Sequence, residues 1–352
     1  MTAPFRRALI TGISGQDGAW LAARLLAEGV RVSGTHRPGR VDGWRLDELG
    51  IAGHESLRLH ALDLLDGDAC RQQLAETGPD AIFHLAGQSS VAASLADPLG
   101  TIAANGMASL TLLEALRLEL PTAHAVIATS AQMFGGSAIT PCDEHTPPGP
   151  ADPYGLSKLI AHRAVGIWRT SYDLAASSAI LFNHESELRA ETFVTRKISR
   201  AVARIALGRE QSVQLGNLDA RRDFGYAPDY VDALMRLARR ATPGDFVLAT
   251  GNVTSIREFA TTAFASVDIA LDWHGAGAGE VGIERNSKRV RVRVDPALLR
   301  MHDPGFLIGD AGKAQRELDF VPSVDVAGIA RRMVFADIAR ERGQPPLQRC
   351  DV

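Results

Sequence analysis

Short apolar runs alternate with helix-like segments along the first half of the chain. Runs long enough for buried strands occupy residues 8–11, 30–34, 57–64, 81–84, 123–128 and 175–181. Between them lie segments whose apolar residues recur at helical spacing, at 20–28, 68–77 and 101–120. Strands that alternate with helices predict a parallel sheet covered on both faces. The first half of the chain therefore predicts a doubly wound α/β fold.

The alternation of strand and helix weakens beyond residue 182. Residues 191–198 open a predicted arginine-rich helix, and no low-complexity tract, long linker or internal repeat divides the chain. We therefore expect residues 1–182 to form one domain, with its sheet completed by about residues 225–255. Residues 183–343 are expected to form a smaller, interleaved α/β domain that binds the substrate.

Composition and charge narrow the class of protein. The chain has 352 residues, of which 45% are hydrophobic and 22% charged, as in soluble globular proteins. Its 38 Lys and Arg against 41 Asp and Glu give a net charge of −3, which argues against nucleic-acid or membrane partners. Cys70, Cys142 and Cys350 lack metal-ligand spacing, so neither a zinc site nor a disulfide framework is expected. Without an apolar leader or a run of about 18 apolar residues, we expect a cytoplasmic location.

A glycine-rich turn follows the first predicted strand. Gly12, Gly15 and Gly18 surround Gln16 and Asp17, and an amphipathic segment comes next. Such glycines let the backbone turn tightly and approach a pyrophosphate, whose charge the helix amino terminus stabilises. The pattern predicts a Rossmann-like dinucleotide site, with a purely structural turn as the alternative.

The ends of the next strands indicate which dinucleotide binds. The second strand ends in Thr35-His36-Arg37, without the acidic residue that holds the ribose of NAD. Arg37 suits a 2′-phosphate, which favours NADP, whereas the competing interpretation is a solvated loop arginine. His84, near the end of the fourth strand, is interpreted as a buried structural histidine rather than a base. Further candidate cofactor contacts at the strand ends are Asp63, Leu64, Leu85, Ala86 and Gln88.

The candidate chemistry centres on Tyr154 and Lys158. These residues lie four apart on one predicted helix, so the ammonium could hold the pKa of the phenol down and make Tyr154 a base. Ser130, near the end of the fifth strand, would share the proton of a substrate alcohol while hydride leaves the same carbon. The combination is typical of alcohol oxidation by a nicotinamide, although an ordinary surface pair has the same spacing.

Several longer strings carry a specific family resemblance. They are Ala8–Ile13 with Gly15–Gly18, Leu181–Ser186, Glu191–Ile198, Leu215–Asp219 with Arg222-Asp223, and Leu307–Asp310 with Lys313-Ala314. In these stretches the chain resembles the extended short-chain dehydrogenase/reductase family, and within it the GDP-mannose 4,6-dehydratases. The resemblance covers nearly the whole chain.

The resemblance implies ligands and partners. It implies a tightly bound, recycled NADP, a GDP-sugar substrate, and a homodimer or homotetramer. Arg37 would hold the 2′-phosphate of NADP, and Ser89 is a further candidate substrate-binding residue. Carried over by position, the residues that would hold the nucleotide diphosphate are Asn183, Val194, Lys197, Arg222 and Arg300.

One departure from the family pattern changes the predicted reaction. The family's threonine-serine-glutamate falls on Ser130-Ala131-Gln132, so the glutamate that moves the C5 proton and helps expel the C6 hydroxyl is absent. A glutamine amide hydrogen-bonds but is not a base near neutral pH. The Ser130-Ala131 pair resembles the galactose 4-epimerases, which need only the serine, tyrosine and lysine. His36, where the dehydratases usually carry arginine, is a second departure, and it removes one of the positive charges that would favour NADP.

Three hypotheses follow for the reaction. The first is C4 epimerisation of a GDP-hexose or GDP-heptose, in which C4 is oxidised and hydride returns to its other face. The second is a 4,6-dehydratase with an altered or engineered acid–base residue, with a 4-ketosugar reductase as a variant. The third is a catalytically silent GDP-sugar-binding protein, which the presence of both Tyr154 and Lys158 disfavours. We favour epimerisation, and we expect Gln132→Glu to introduce some 4-keto-6-deoxy product.

Overall fold

The structure is a computed structural model, and it describes residues 5–39, 42–137, 139–299 and 306–344. The strands are β1 (Arg7–Thr11), β2 (Arg31–His36), β3 (Leu57–Ala61), β4 (Ala81–His84), β5 (His124–Ser130), β6 (Ala176–Leu181), β7 (Asn183–Glu185), β8 (Val213–Leu215), β9 (Arg221–Arg222), β10 (Phe224–Tyr226), β11 (Asp245–Leu248), β12 (Thr254–Ser255), β13 (Leu271–His274), β14 (Val281–Glu284) and β15 (Val290–Val294). The α-helices are α1 (Gln16–Ala27), α2 (Trp44–Glu48), α3 (Gly67–Thr77), α4 (Val91–Ala96), α5 (Pro98–Ile102), α6 (Ala108–Glu119), α7 (Pro153–Tyr172), α8 (Val194–Ala206), α9 (Ala227–Ala238), α10 (Ile256–Ala265), α11 (Gly312–Leu318) and α12 (Val326–Glu341).

A parallel sheet of seven strands lies at the centre of the larger layer. Its strand order is β11-β6-β5-β4-β1-β2-β3, so β1 lies in the interior between β4 and β2, and the chain winds outwards from it in both directions. Along β1, Ala8 and Ile10 pack into one hydrophobic core that includes Trp20 of α1. Leu9 points to the opposite face and packs into a second core with Leu112 of α6. Helices therefore cover both faces, and the predicted doubly wound Rossmann-like fold is confirmed.

Two strand ends differ from the prediction. β3 ends at Ala61, three residues before the predicted end, because its pairing with β2 stops where His36 pairs with Ala61. β5 continues to Ser130, because its pairing with β6 continues until Ser130 lies opposite Leu181. Ser130 is therefore held at the last rung of the sheet.

The predicted helix over residues 101–120 is divided into α5, a π-helical turn (Ala103–Met107) and α6. Among the described residues, Pro98–Glu119 is the one helical stretch that could cross a membrane by length and composition, with a hydropathy of 1.3. Half of its most apolar window is buried inside the fold, and core helices meet the same criterion. Leu112, Leu113 and Leu116 supply part of the core beneath the sheet.

The smaller layer is built around a mixed sheet of order β13-β14-β15-β8. It has a separate core, to which α8, α10 and α12 contribute Ile198, Phe259 and Met333. In the sequence, β8 and β10 come before β11, and β11 pairs with β6. The chain therefore returns from the smaller layer to the large sheet. The division of the two layers into functional domains stays a prediction.

Charged side chains tie the two layers together. Arg45 of α2 donates one hydrogen bond to the carbonyl of Ser14 (2.9 Å) and another to that of Leu188 (2.7 Å). Arg340 of α12 pairs with Glu48 of α2. These contacts fix the glycine-rich turn relative to the segment after β7.

Candidate active site

The candidate catalytic residues lie at the carboxyl edge of the large sheet, where parallel α/β sheets bind their ligands. β5 delivers Ser130 to this edge, and α7 begins beside it at Pro153. Asp152 caps α7 by accepting a hydrogen bond from the Gly155 amide (2.7 Å). Tyr154 consequently lies in the first turn of α7, with Lys158 one turn later on the same face.

Tyr154 interacts directly with Ser130. The Ser130 hydroxyl hydrogen-bonds the phenol, and it accepts a hydrogen bond from the backbone amide of Gln132 (3.2 Å). Burial raises the pKa of Tyr154 above 10, while the Ser130 bond and the charge of Arg189 act in the opposite direction. Tyr154 therefore carries its proton near neutral pH in this structure.

Lys158 does not have the effect on Tyr154 that the sequence predicted. Its Nζ donates to the carbonyl of Ala128 (2.9 Å). Burial lowers the pKa of Lys158 to about 8, with Asp17 acting against that decrease. The predicted depression of the Tyr154 pKa is wrong for this structure, because burial of the phenol outweighs the nearby positive charges.

Asn105 is a site residue that the sequence analysis missed. It lies in the π-helical turn, is buried, and donates from Nδ2 to the Ser157 hydroxyl (2.9 Å). Ser157 in turn donates to the carbonyl of Tyr154 (2.7 Å), and Asn105 Oδ1 accepts from the Gln88 amide (2.8 Å). Asn105 thus joins the strand-end loop to the catalytic helix. A polar residue inside an otherwise apolar helical pattern was the available signal.

Gln132 contacts the cap of the catalytic helix. It lies in a single 3₁₀ turn (Ala131–Phe134) that follows β5, and its Nε2 donates to Asp152 Oδ2 (2.9 Å). Asp152 therefore contacts both position 132, where the family pattern has glutamate, and the first turn of α7, which carries Tyr154. Asp152 is a second residue that the sequence analysis did not identify.

The glycine-rich turn fits a bound pyrophosphate. Gly12 has a φ of +74°, and a Cβ there would lie 2.7 Å from the backbone of Ala86. A Cβ on Gly18 would lie 2.5 Å from the Gly12 carbonyl, so α1 approaches the turn as closely as glycine permits. Gly15 caps α1 without a side chain, which leaves the first-turn amides available to an anion. The backbone amide of Leu85 donates a hydrogen bond to the carbonyl of Thr11 (3.2 Å), which holds Leu85 beside this turn.

The side chains of Gln16 and Asp17, predicted cofactor contacts, are bonded to the segment after β6. Asp17 Oδ2 lies 2.9 Å from His184 Nε2, and Gln16 Oε1 accepts from the Ser186 hydroxyl (2.9 Å). His184 Nδ1 also faces an acceptor, the carbonyl of Phe182 (2.7 Å). Since both ring nitrogens face acceptors, His184 is an imidazolium paired with the Asp17 carboxylate.

The pKa shifts agree with that ion pair. Burial alone would lower the pKa of His184, but the charge and hydrogen bond of Asp17 raise it above 6.5. Burial likewise opposes ionisation of Asp17, yet His184 lowers its pKa below 3.8. Tyr230 stacks on the imidazole at a centroid distance of 4.5 Å.

The remaining predicted cofactor contacts lie at neighbouring strand ends. Arg37 is exposed directly after β2, and Asp63, with Leu64 next to it, is exposed after β3. Since β2 and β3 pair in parallel, these residues share one edge of the sheet. The side chain of Gln88 instead donates to the carbonyl of Ser90 (2.7 Å).

His84 is a structural residue, as predicted. The Thr11 hydroxyl lies 2.8 Å from Nδ1, and the Ser109 hydroxyl lies 3.0 Å from Nε2. Ser109 donates to the Asn105 carbonyl, so it accepts from His84. Burial, together with Lys158, lowers the pKa of His84 to about 3, which keeps the ring neutral.

The predicted diphosphate ligands come from the smaller layer. Asn183 opens β7 two residues after Leu181, which pairs with Ser130, so it lies close to the catalytic edge. Arg222 is in β9, just before β10, and β10 pairs with β7. Val194 and Lys197 lie in the first turn of α8, where Lys197 is exposed. Arg300 falls outside the described residues.

Arg189 is a third site residue that the sequence did not reveal. Its Nε lies 3.0 Å from Glu185 Oε2, and its guanidinium lies 3.6 Å from the centre of the Phe193 ring. Its charge acts to lower the pKa of Tyr154.

Ser89, a predicted substrate contact, is exposed just before α4. The part of the chain that the structure describes has no group of three or more potential metal-ligating residues.

Comparisons with known proteins agree with this geometry. The model of the family described as GDP-mannose 4,6 dehydratase matches residues 9–333. The chain is 39% identical over 343 residues to a GDP-mannose 4,6-dehydratase of Sinorhizobium fredii, covering 96% of this chain and 97% of the relative. It is 38% identical over 354 residues to the human GDP-mannose 4,6 dehydratase, covering 98% and 95%. A UDP-glucose 4-epimerase of Thermotoga maritima shares the fold, with a TM-score of 0.80, 19% identity, and coverage of 96% and 100%.

Proposed function

The chain belongs to the GDP-mannose 4,6-dehydratase family of extended short-chain dehydrogenases and is a nucleotide-sugar enzyme of that type; we propose that it epimerises a GDP-sugar at C4. The substrate is a GDP-hexose or GDP-heptose. The observation that carries the proposal is the presence of Gln132 where the family pattern requires a glutamate. The side-chain amide of Gln132 donates a hydrogen bond to Asp152. An amide at this position cannot move the C5 proton near neutral pH.

The cofactor proposed for this reaction is NADP. The glycine turn and the open amides of α1 would hold its pyrophosphate, and Arg37 would hold its 2′-phosphate. When bound, NADP supplies the acceptor and donor of hydride at C4. The fixed contacts of Arg45 with Ser14 and Leu188 keep this turn aligned with the sugar-binding side.

The chain's own residues handle the proton. Ser130 hydrogen-bonds the 4-hydroxyl, and the phenolate form of Tyr154, a minor species near neutral pH because burial raises its pKa, takes the proton while the C4–H bond breaks. Arg189 and the Ser130 hydrogen bond favour the phenolate that this step requires. The proton returns from Tyr154 to the oxygen when hydride is delivered to the other face of C4. Atoms and electrons balance, and the net result is inversion at C4 without oxidation or reduction.

A 4,6-dehydratase is the second candidate. The two relatives compared above carry that name, and Asp152 places a carboxylate 2.9 Å from Gln132. If Asp152 could reach C5, it would replace the missing glutamate as the acid–base group.

We also infer that the protein is a homodimer or homotetramer. Exposed apolar side chains lie on the outer surface of helices α4 to α7, with Leu99 exposed to 80%. Patches of this kind on neighbouring helices favour a second copy of the chain as the partner. The other exposed members of the patch are Leu95, Met107, Leu156 and Ile167. A monomeric mass in light scattering would overturn this inference.

The proposed reaction is tested with a panel of GDP-sugars and NADP, with the sugar of each product read by NMR. The proposal expects inversion at C4 for at least one member of the panel, and no inversion by Tyr154→Phe. Failure of every GDP-sugar to exchange or invert at C4 would leave only a binding protein.

A further inference from the structure

Asp152 contacts the catalytic helix and Gln132 at once. Its Oδ1 accepts the hydrogen bond of the Gly155 amide (2.7 Å), and its Oδ2 accepts that of Gln132 Nε2 (2.9 Å). An ionised carboxylate only accepts hydrogen bonds, so the NH₂ group of Gln132 must face Asp152. The amide oxygen of Gln132 is consequently turned away from the helix cap.

The backbone of Gln132 has little freedom to move away from this contact. Its amide donates to Ser130 Oγ (3.2 Å), and its carbonyl accepts from the Gly135 amide (3.1 Å). A Cβ on Gly155 would lie 2.5 Å from the Gln132 carbonyl, which shows how closely the turn packs on α7. A side chain of glutamine size at position 132 is therefore held against Asp152.

Building on the proposed epimerase, we propose that Asp152 is a positioning residue that also determines reaction specificity. Its carboxylate orients the Gln132 amide, and its charge opposes an ionised acid at position 132. Elimination needs such an acid: it takes a proton from C5 and gives one to the C6 hydroxyl, which leaves as water. The hydride removed from C4 is then added to C6 while C5 regains a proton. Gln132 and Asp152 together therefore keep the oxidised sugar from losing water.

Asp152 also belongs to the set of charges around Tyr154. Asp152 at the helix cap and Asp17 on α1 oppose ionisation of the phenol, and Arg189, from the segment after β7, favours it. Lys158, on the same helix as Tyr154, is buried one turn away. Neutralising Asp152 should lower the pKa of Tyr154, so the rising limb of the rate against pH should move to lower pH.

The first test measures protonation and does not depend on activity. The carboxyl introduced by Gln132→Glu is labelled with ¹³C and titrated by NMR, alone and combined with Asp152→Asn. Asn caps helices as well as Asp, so the second change preserves α7. With Asp152 present, the pKa of the introduced carboxyl should be higher by at least about 1. Equal values in the two variants would overturn the pairing.

The second test measures product and pH dependence. We expect Gln132→Glu/Asp152→Asn to form at least about tenfold more 4-keto-6-deoxy product than Gln132→Glu. Asp152→Asn alone should move the pH profile of C4 oxidation to lower pH. The matched control is Asp325→Asn, because Asp325 caps α12 through Gly328 (2.7 Å) in the same way. An equal yield in the single and double variants, or an equal pH shift in the control, would contradict the proposal.

These tests separate this inference from the proposed function. If the native protein releases water from its substrate and Asp152→Asn abolishes that release, Asp152 is the acid–base group of a dehydratase, and both proposals fail. If the native protein releases water but the titration still shows the raised pKa, the epimerase proposal fails while the pairing of Asp152 with position 132 stands.

Discussion

Two polar regions at the carboxyl edge of the sheet use similar side chains in opposite ways. In the catalytic corner, where β5 meets α7, Tyr154 and Gln132 remain partly exposed. In the junction between α1 and β7, Asp17 and His184 satisfy each other, and the imidazolium is covered by Tyr230. In the proposed reaction the corner exchanges a proton with a substrate, whereas the junction holds the two layers in one position.

The comparison shows which of the two regions contains the residues that carry the family resemblance. The string Leu181–Ser186, among the most specific in the sequence, contributes His184 and Ser186 to the junction. In our proposal, the type of reaction depends instead on the contact between Gln132 and Asp152. A long match to a family thus identifies the frame, whereas the proposed change in chemistry rests on one polar pair.

The largest expected effect comes from removing the proton acceptor of the corner. Tyr154→Phe should slow C4 oxidation by about 10²–10⁴-fold, since the proton of the 4-hydroxyl then has no acceptor. The measurement is the formation of reduced nicotinamide in a single turnover. Calorimetry on the same variant should show unchanged GDP binding. A rate within about tenfold of the native protein would remove Tyr154 from the mechanism.

The junction should respond in stability rather than in chemistry. His184→Leu leaves Asp17 unpaired in a mostly buried position, which should lower the free energy of unfolding by about 3 kcal/mol. Denaturant unfolding at fixed pH measures this loss. If stability is unchanged while C4 oxidation is abolished, the assignment of the two regions is reversed.

The same ion pair predicts a pH dependence of stability. Because the pKa of His184 is raised in the folded state, its contribution is complete below pH 6.5 and is lost as pH rises through the folded value. Because the pKa of Asp17 is lowered, its contribution is complete above pH 3.8 and is lost as pH falls below it. His184→Leu should therefore reduce the difference in unfolding free energy between pH 6 and pH 9. A variant with the native pH dependence would contradict the ion pair.

Much of the frame could be predicted from sequence, because strand-helix alternation and the glycine turn are local patterns. The predicted end of β3 was wrong because pairing with β2, a tertiary contact, ends the strand at Ala61. The predicted single helix over 101–120 concealed a π-helical turn, since its apolar spacing continues through Asn105. The predictions that failed concerned parts of the fold that depend on contacts with residues distant in sequence.

The site was predictable only as far as its motifs extend. Spacing was enough to identify Tyr154, Lys158 and Ser130 as candidate catalytic residues. The replacement of the family's glutamate by Gln132 was identified from its aligned position. The pKa of Tyr154 could not be obtained in this way, because burial depends on the whole fold. Asp152 and Arg189 were missed since their roles arise from contacts with side chains that the sequence does not place beside them.

A smaller effect is expected on the nucleotide side of the corner. Lys197→Ala should weaken GDP binding about tenfold to a hundredfold, the loss of one charged phosphate contact of about 1.5–3 kcal/mol. Calorimetry with GDP measures it. Arg204, at the far end of α8 and paired with Glu210 and Glu341, supplies the control variant Arg204→Ala. Equal or tighter binding of UDP or dTDP than of GDP to the native protein would refute the proposed substrate class.

The smallest expected effect concerns cofactor choice. Arg37→Ala should reduce the preference for NADP over NAD by about fivefold to tenfold, because Arg37 is exposed and its charge is screened. The matched control is Arg31→Ala, which removes an exposed arginine from the opposite end of β2. An unchanged affinity ratio in Arg37→Ala would remove the basis for proposing NADP.

The mass of the product that the native protein forms from GDP-mannose or a related GDP-sugar tests the central claim most directly. With Gln132 bonded to Asp152, the account predicts a product of the same mass as the substrate, inverted at C4. Formation of a product lighter by one water molecule, at an ordinary enzymatic rate, would contradict the epimerase and identify a dehydratase.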